Sequence, residues 1–115
     1  MNQITAFRIA GCIGALGVIL GAFGAHGLKD TLSVNGTTQT WQTAAHYHLI
    51  HAVVLLVLAG TNPFPSKSFH MIVSGVLLFS GSLYLLAITQ VHWLGAITPL
   101  GGICLILGWI LLIRR

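Results

Sequence analysis

Two histidines and a tyrosine near the head of an apolar run are the residues of this chain best placed to do chemistry. The run, residues 43–58, reads TAAHYHLIHAVVLLVL and carries Tyr47, His48 and His51. On a helix, residues three and four apart are neighbours, so these three side chains point toward the same surroundings. The run is typical of a membrane-spanning helix, in which polar side chains are costly unless they face protein or water. The pattern predicts that any functional side chains lie in this cluster.

Three interpretations of these histidines stay open. Imidazoles on facing helices bind zinc, copper, iron or haem, and His26 is expected at the same end of the bundle as His48 and His51. Histidine also changes charge near neutral pH, so the cluster could move protons or a solute. Hydrogen bonds between helices explain the pattern without a ligand. Because no carboxylate or cysteine accompanies the HxxH spacing, and His46 points elsewhere, the sequence predicts no metal ligand and no cofactor.

The residue types give little support to enzyme chemistry. Asp30 is the only acidic residue, which excludes a catalytic pair of carboxylates. Neither Cys12 nor Cys104 has a histidine close by in sequence, and no nucleophile elbow accompanies Ser80 or Ser82. We therefore expect a protein without catalytic residues.

The composition indicates that lipid surrounds most of the chain. Of the 115 residues, 56% are hydrophobic and only 5% are charged, too few for the surface of a water-soluble domain. Each membrane-spanning helix needs roughly 20 apolar residues, so four helices take about 80 and leave short connections. The basic residues behind the net charge of +4 are scattered, which argues against a nucleic-acid partner. The prediction is one all-α membrane domain over residues 1–115, a four-helix bundle partnered by the lipid bilayer.

Four membrane-spanning helices are predicted, over residues 4–25, 41–60, 67–89 and 93–113. Trp41 marks the membrane interface where the second helix begins. The last helix begins near Trp93, because the 15 residues from Pro99 to Ile113 span only about 22 Å against a hydrocarbon core of about 30 Å. Pro99 then makes its first turns irregular, and Thr98 helps to satisfy the interrupted backbone.

Five glycines share one arc of the first helix and allow a neighbouring backbone to approach closely. They are Gly11, Gly14, Gly17, Gly21 and Gly24. Packing inside the protein is the favoured use of this face. Self-association through the glycine faces, or contact with another membrane protein, is the alternative.

The basic residues predict the orientation in the membrane. Four spans place both termini on one side, together with Arg8, Lys67, Arg114 and Arg115, against Lys29 alone on the other. The positive-inside rule then places both termini in the cytoplasm.

Four motifs in order resemble a known family. They are GAFGAHGL at 21–28, Tyr47-His48-x-x-His51-Ala52, FSGSLYLL at 79–86, and ITPLGG at 97–102 with GW at 108–109. The chain is similar, from its first helix to its last, to the domain of unknown function 423 family, whose animal members are called transmembrane protein 256. The resemblance implies a four-helix integral membrane protein, in the bacterial inner membrane for most members, and supplies no catalytic residue. Single residues among the matching positions include Gly24, His26, Tyr84, Thr98 and Trp109, whereas His46 lies outside the pattern.

The sequence predicts a non-enzymatic component of membrane integrity or of a membrane complex, in the cell inner membrane. Its candidate functional polar cluster is His26, Tyr47, His48 and His51 toward the outer leaflet, with Thr98 at the same end. One alternative is a small transporter or proton-handling protein that uses His48 and His51, although the helix-one glutamate of small multidrug exporters is missing. The second alternative is a histidine metal or haem site.

Overall fold

The computed structural model describes all 115 residues, which form helices and connecting turns without any strand. The helices are α1 (Gln3–Ala25), α2 (Lys29–Asn35), α3 (Thr38–Ala59), α4 (Ser66–Thr89), a 3-10 helix (His92–Ala96) and α5 (Thr98–Ile113). Four segments are long and apolar enough to cross a membrane: α1, α3, α4 and the 22 residues from His92 to Ile113. The prediction of an all-α fold with four such helices is confirmed.

The four long helices pack in the order α1, α3, α4, α5. Helix α3 contacts α1 on one side and α4 on the other, and α5 packs along α4. Successive long helices run in opposite directions, so one end of the bundle holds both chain termini and the start of α4. We call this the termini end. The other end carries α2 and the 3-10 helix, and we call it the α2 end.

Small residues let these helices approach closely around a continuous apolar core. Ala6 and Ala10 of α1 and Leu55 of α3 are buried against Ile72 of α4 and Leu105 of α5. A second cluster lies at the α2 end, where Leu32, Trp41 and Tyr84 pack together. Glycines serve the same purpose at the tightest crossings: a Cβ on Gly101 of α5 would lie 2.7 Å from the Cα of Phe79 on α4.

The face of α1 that carries glycines is only partly used inside the protein. A Cβ at Gly24 would overlap the indole of Trp41, and a Cβ at Gly17 would lie 2.7 Å from Cδ2 of Leu49. The lack of a side chain at both positions therefore lets α3 pack closely against α1. Gly11 and Gly21 have no such neighbour within 4 Å.

The structure departs from the predicted start of α3 and agrees with the irregular start predicted for the last span. Helix α3 begins at Thr38, three residues before the predicted start, and Trp41 is buried within the bundle, with its Nε1–H donating to the carbonyl of Leu20 at 2.8 Å. The last span is a 3-10 helix followed by α5, and Pro99 lies in the first turn of α5. Proline is tolerated there because the N–H groups of a first helical turn have no intrahelical acceptor.

Candidate functional site

His48 links three helices at the centre of the bundle. It is the eleventh residue of the 22-residue α3, and only 5% of its surface is exposed. Its Nε2 lies 2.7 Å from the carbonyl oxygen of Ile13 on α1, and its Nδ1 lies 2.9 Å from the hydroxyl of Tyr84 on α4. Because both ring nitrogens have protein partners, His48 is fully engaged in joining α3 to its two neighbours.

The partners of His48 determine its tautomer. A carbonyl oxygen only accepts, so Nε2 of His48 carries a proton and its N–H donates to the Ile13 carbonyl. In the neutral ring Nδ1 is then the acceptor, and the Tyr84 hydroxyl donates to it. Every hydrogen-bonding atom of this pair is satisfied by a neutral imidazole.

The space beside His48 is narrow on the α1 side and open between α1 and α4. A Cβ on Gly17 would lie 3.2 Å from Cδ2 of His48, so a glycine at this position lets the imidazole reach the α1 backbone. A groove of about 150 Å³ is lined mainly by apolar side chains of α1 and α4, together with His48 and Tyr84. The hydrogen-bonded pair therefore borders an apolar groove.

His51 faces a different neighbour, one turn of α3 nearer the termini end. Its Nδ1 lies 2.8 Å from the carbonyl oxygen of Tyr47, and its Nε2 accepts the indole N–H of Trp109 on α5 at 3.0 Å. Nδ1 must carry the proton, because a carbonyl oxygen only accepts. The tautomer of His51 is thus the opposite of that of His48.

Tyr47 packs over this second histidine at the surface of the bundle. Its ring is stacked on that of His51 with centroids 6.2 Å apart and lies 4.7 Å from the ring of Phe79. The tyrosine remains 41% exposed. Tyr47, His51 and Trp109 therefore form one aromatic group that joins α3 to α5 across α4.

The structure does not bring His26 or Thr98 to the two buried histidines. Ile13, the α1 partner of His48, is thirteen residues from His26, or about 20 Å along the helix axis. Thr98 Oγ1 lies 2.6 Å from Ser82 Oγ on α4. Thr98 is eleven residues, or about 16 Å along α5, from Trp109, which is the partner of His51. His48 and His51 lie at mid-depth instead of at the α2 end, so the predicted polar cluster is divided between separate places.

No three His, Cys, Asp or Glu side chains converge closely enough to hold one metal ion. His26 is exposed at the end of α1 beside Phe23, far from the other two histidines of the proposed three-histidine site. The nitrogens of His48 and His51 point at different helices. This arrangement does not support a three-histidine metal centre.

The sequence interpretation missed the partners of the two histidines. Tyr84 and Ser80 lie one helical turn apart on the buried face of α4, where the Ser80 hydroxyl donates to the Ala44 carbonyl of α3 at 2.8 Å. Two polar residues at i and i+4 in an apolar helix were the available signal. Trp109 gave no signal in its spacing, because its contact depends on how far α5 is rotated.

A second set of polar residues lies on the exposed face of α3, opposite the buried histidines. At about 100° per residue, Gln39, Gln42, Thr43 and His46 fall on one stripe, which we call the α3 polar face. Within α3, the side-chain hydrogen bonds come from Trp41, His48 and His51, all on the buried side. The α3 polar face therefore has no partner within the chain.

Comparisons with known proteins agree on one group. A family model described as "Protein of unknown function (DUF423)" matches residues 20–102. The UPF0382 membrane protein YwdK of Bacillus subtilis is 44% identical and aligns with 93% of this chain and 92% of its own length. A UPF0382 membrane protein of Staphylococcus epidermidis is 42% identical over 93% of this chain and 91% of its own. No solved structure matches the chain.

Proposed function

The chain belongs to the DUF423 family of membrane proteins, and from this premise we propose that it is a non-enzymatic component of a membrane assembly. It lies in the cytoplasmic (inner) membrane as a single four-helix domain with both termini in the cytoplasm. Within the assembly it binds a second copy of itself through the α3 polar face. The observation that carries this proposal is the contrast between the two sides of α3: the polar groups on its buried side have hydrogen-bond partners, and those on the α3 polar face have none.

The buried histidines already have a structural use. His48 and His51 together make four hydrogen bonds, to α1, α4, α5 and their own helix. Polar groups inside a membrane protein commonly join helices in this way. With both rings fully bonded, each histidine acts as a link between helices, which supports a structural role over ligand or proton chemistry at these two residues.

The α3 polar face lies within the hydrocarbon region of the bilayer. Measured from the middle of α3, His46 is about 4 Å and Gln42 about 10 Å toward the α2 end, inside a half-thickness of about 15 Å. Gln39, at about 14 Å, lies at the border of that region. Amide and imidazole groups facing hydrocarbon without a partner are costly, and such residues almost always face protein or water. A protein partner on this face removes the cost.

A second copy of the chain fits the α3 polar face because the face is complementary to itself. Two copies inserted with the same orientation are related by a two-fold axis along the membrane normal, which places identical residues at equal depth. A glutamine amide both donates and accepts, so two Gln42 side chains can bond to each other. A neutral His46 also has one donor and one acceptor. Ile50 and Val53 continue the same exposed stripe toward the termini end with apolar contacts.

Disulfide cross-linking within the membrane tests this interface. In a background with Cys12→Ala and Cys104→Ala, we expect Gln42→Cys and His46→Cys to give covalent dimers on mild oxidation. The matched control is Val18→Cys, which is 63% exposed at similar depth on α1 but lies outside the proposed interface. We expect no dimer from this control.

Two results would overturn the proposed assembly. Equal cross-linking at Val18→Cys and His46→Cys would indicate random collision. Absence of dimer from both α3 variants, in membranes where each protein is inserted and abundant, would show that a second copy does not occupy this face.

A further inference from the structure

A cavity at the termini end combines positive charge, free hydrogen-bond donors and apolar walls. It has a volume of about 300 Å³ and lies between the first turn of α4 and the last turn of α5. Ser66, Lys67 and Ser68 line it from α4, Arg115 lies at its rim, and Phe64 and Leu111 supply apolar contacts.

The start of α4 offers two backbone donors to this cavity. Pro65 precedes the helix and supplies no side-chain cap. The Ser66 N–H bonds to the Phe64 carbonyl and the Phe69 N–H to the Pro65 carbonyl, whereas the N–H groups of Lys67 and Ser68 have no backbone acceptor. Free N–H groups at the positive end of a helix dipole favour an anion.

The Ser68 hydroxyl is an independent sign that a ligand binds here. Ser68 is only 2% exposed, lines the cavity, and makes no hydrogen bond within the protein. No fully enclosed side-chain nitrogen or oxygen lacks a partner, so the Ser68 oxygen keeps a small exposed surface, and the cavity is the space that this residue lines. A buried hydroxyl normally has a partner. An oxygen of a bound anion would supply it.

The surrounding charges select for an anion. Lys67 lines the cavity, and the Arg115 guanidinium donates to the Pro63 carbonyl, which holds it at the rim. The only acidic residue, Asp30, lies in α2 at the opposite end of the bundle. The charged side chains at this site are therefore all basic.

We propose that this cavity binds a phosphate group, supplied by the headgroup of an anionic phospholipid. Lys67 and Arg115 pair with its charge, and the Lys67 N–H, the Ser68 N–H and the Ser68 hydroxyl bond to its oxygens. The site lies at the membrane surface, because it joins the first residues of one span to the last residues of another. Phe64 and Leu111 provide an apolar wall for the start of an acyl chain, which free phosphate would not use.

Titration of the purified full-length protein in neutral detergent tests the site. The probes are short-chain phosphatidylglycerol, phosphatidylcholine of the same chain length, and inorganic phosphate, with binding followed by native mass spectrometry and by the amide NMR signals of residues 67 and 68. We expect phosphatidylglycerol to bind, with roughly ten-fold weaker affinity in Lys67→Gln and in Arg115→Gln. Ser68→Ala, which removes only the hydroxyl, should weaken binding about three-fold. The control Lys29→Gln removes one positive charge at the other end and should leave affinity unchanged.

The three probes separate the possible outcomes. Phosphatidylcholine that binds as tightly as phosphatidylglycerol would overturn the choice of an anionic headgroup. Inorganic phosphate that binds with the same dependence on Lys67 and Ser68, while phosphatidylglycerol does not, would keep the phosphate site and overturn the lipid as its source. Phosphatidylglycerol binding that is equal in Lys67→Gln, Ser68→Ala and Lys29→Gln would overturn the site itself. Circular dichroism of each variant checks that the helices are intact. The result does not depend on self-association, since the α3 polar face lies on a different helix.

Discussion

At the scale of single residues, His48 matters because it closes a hydrogen-bonded chain from α1 to α4. Ile13, His48 and Tyr84 form this chain in the apolar middle of the protein, where water cannot replace a lost partner. The imidazole is well suited to the task, since a neutral ring offers one donor and one acceptor on opposite edges.

Replacing His48 by phenylalanine should destabilise the protein by about 2 kcal/mol, because two hydrogen bonds are lost and the Tyr84 hydroxyl is left buried without its acceptor. The free energy of unfolding in mixed micelles, titrated with dodecyl sulfate and followed by circular dichroism, measures this loss. His26→Phe is the control, since His26 is exposed, and should change stability by less than about 0.5 kcal/mol. In a Tyr84→Phe background, His48→Phe should lower the free energy of unfolding by a smaller amount. An unchanged cost there would contradict the link.

The two buried histidines should be observed as opposite neutral tautomers. Nitrogen-15 NMR of protein labelled at histidine distinguishes a protonated ring nitrogen from an unprotonated one. We expect the proton on Nε2 of His48 and on Nδ1 of His51, because each donates to a backbone carbonyl. His48→Gln and His51→Gln assign the two signals. A doubly protonated His51 would place two N–H groups of the His51–Trp109 pair against each other and would contradict the arrangement.

At the scale of helices, packing depends on glycines at selected positions of α5. A methyl group on Gly101 would collide with the Phe79 backbone of α4, whereas one on Gly102 would meet only the edge of the Phe79 ring at 3.8 Å. Both positions are glycines and they are adjacent on one helix, so they lie at nearly the same depth. They differ in whether another backbone occupies the space.

Gly101→Ala should therefore destabilise the protein by about 2 kcal/mol through overpacking, and Gly102→Ala should be nearly neutral. Dodecyl sulfate unfolding compares the two variants directly. Equal effects would show that α4 and α5 are not in the close contact described here.

Apolar runs and helix-breaking residues predict the bounds of the long helices to within about three residues at nearly every helix end. Gly60 and the prolines that follow it end α3, and the length of the last span required a start before Pro99. The earlier start of α3 was missed because Thr37 bonds to the Ala87 carbonyl of α4 at 2.7 Å, a contact between distant residues. The partners of His48 and His51 also depend on helix rotation, which one sequence does not reveal.

At the scale of the whole molecule, the distribution of charge sets the expected orientation. Lys67, Arg114 and Arg115 lie at the termini end, and Lys29 and Asp30 at the α2 end. Positive residues are retained in the cytoplasm, so the α2 end is expected outside the cell.

Labelling of single cysteines in intact cells checks this orientation. In the cysteine-free background, Ser33→Cys on exposed α2 should react with a maleimide that does not cross membranes. Ser66→Cys at the start of α4 should react only after the membrane is opened. The reverse pattern would contradict the proposal that both termini are cytoplasmic.

The central claim is that polar groups inside the membrane serve assembly, within the chain on one side of α3 and between two chains on the other. The most direct measurement is the mass of the intact protein released from lipid nanodiscs by native mass spectrometry. The account predicts twice the 12.2 kDa of one chain for the native protein, and a single chain when Gln42→Leu and His46→Leu are combined. A native protein that is monomeric in lipid, or a double variant that stays dimeric, would contradict it.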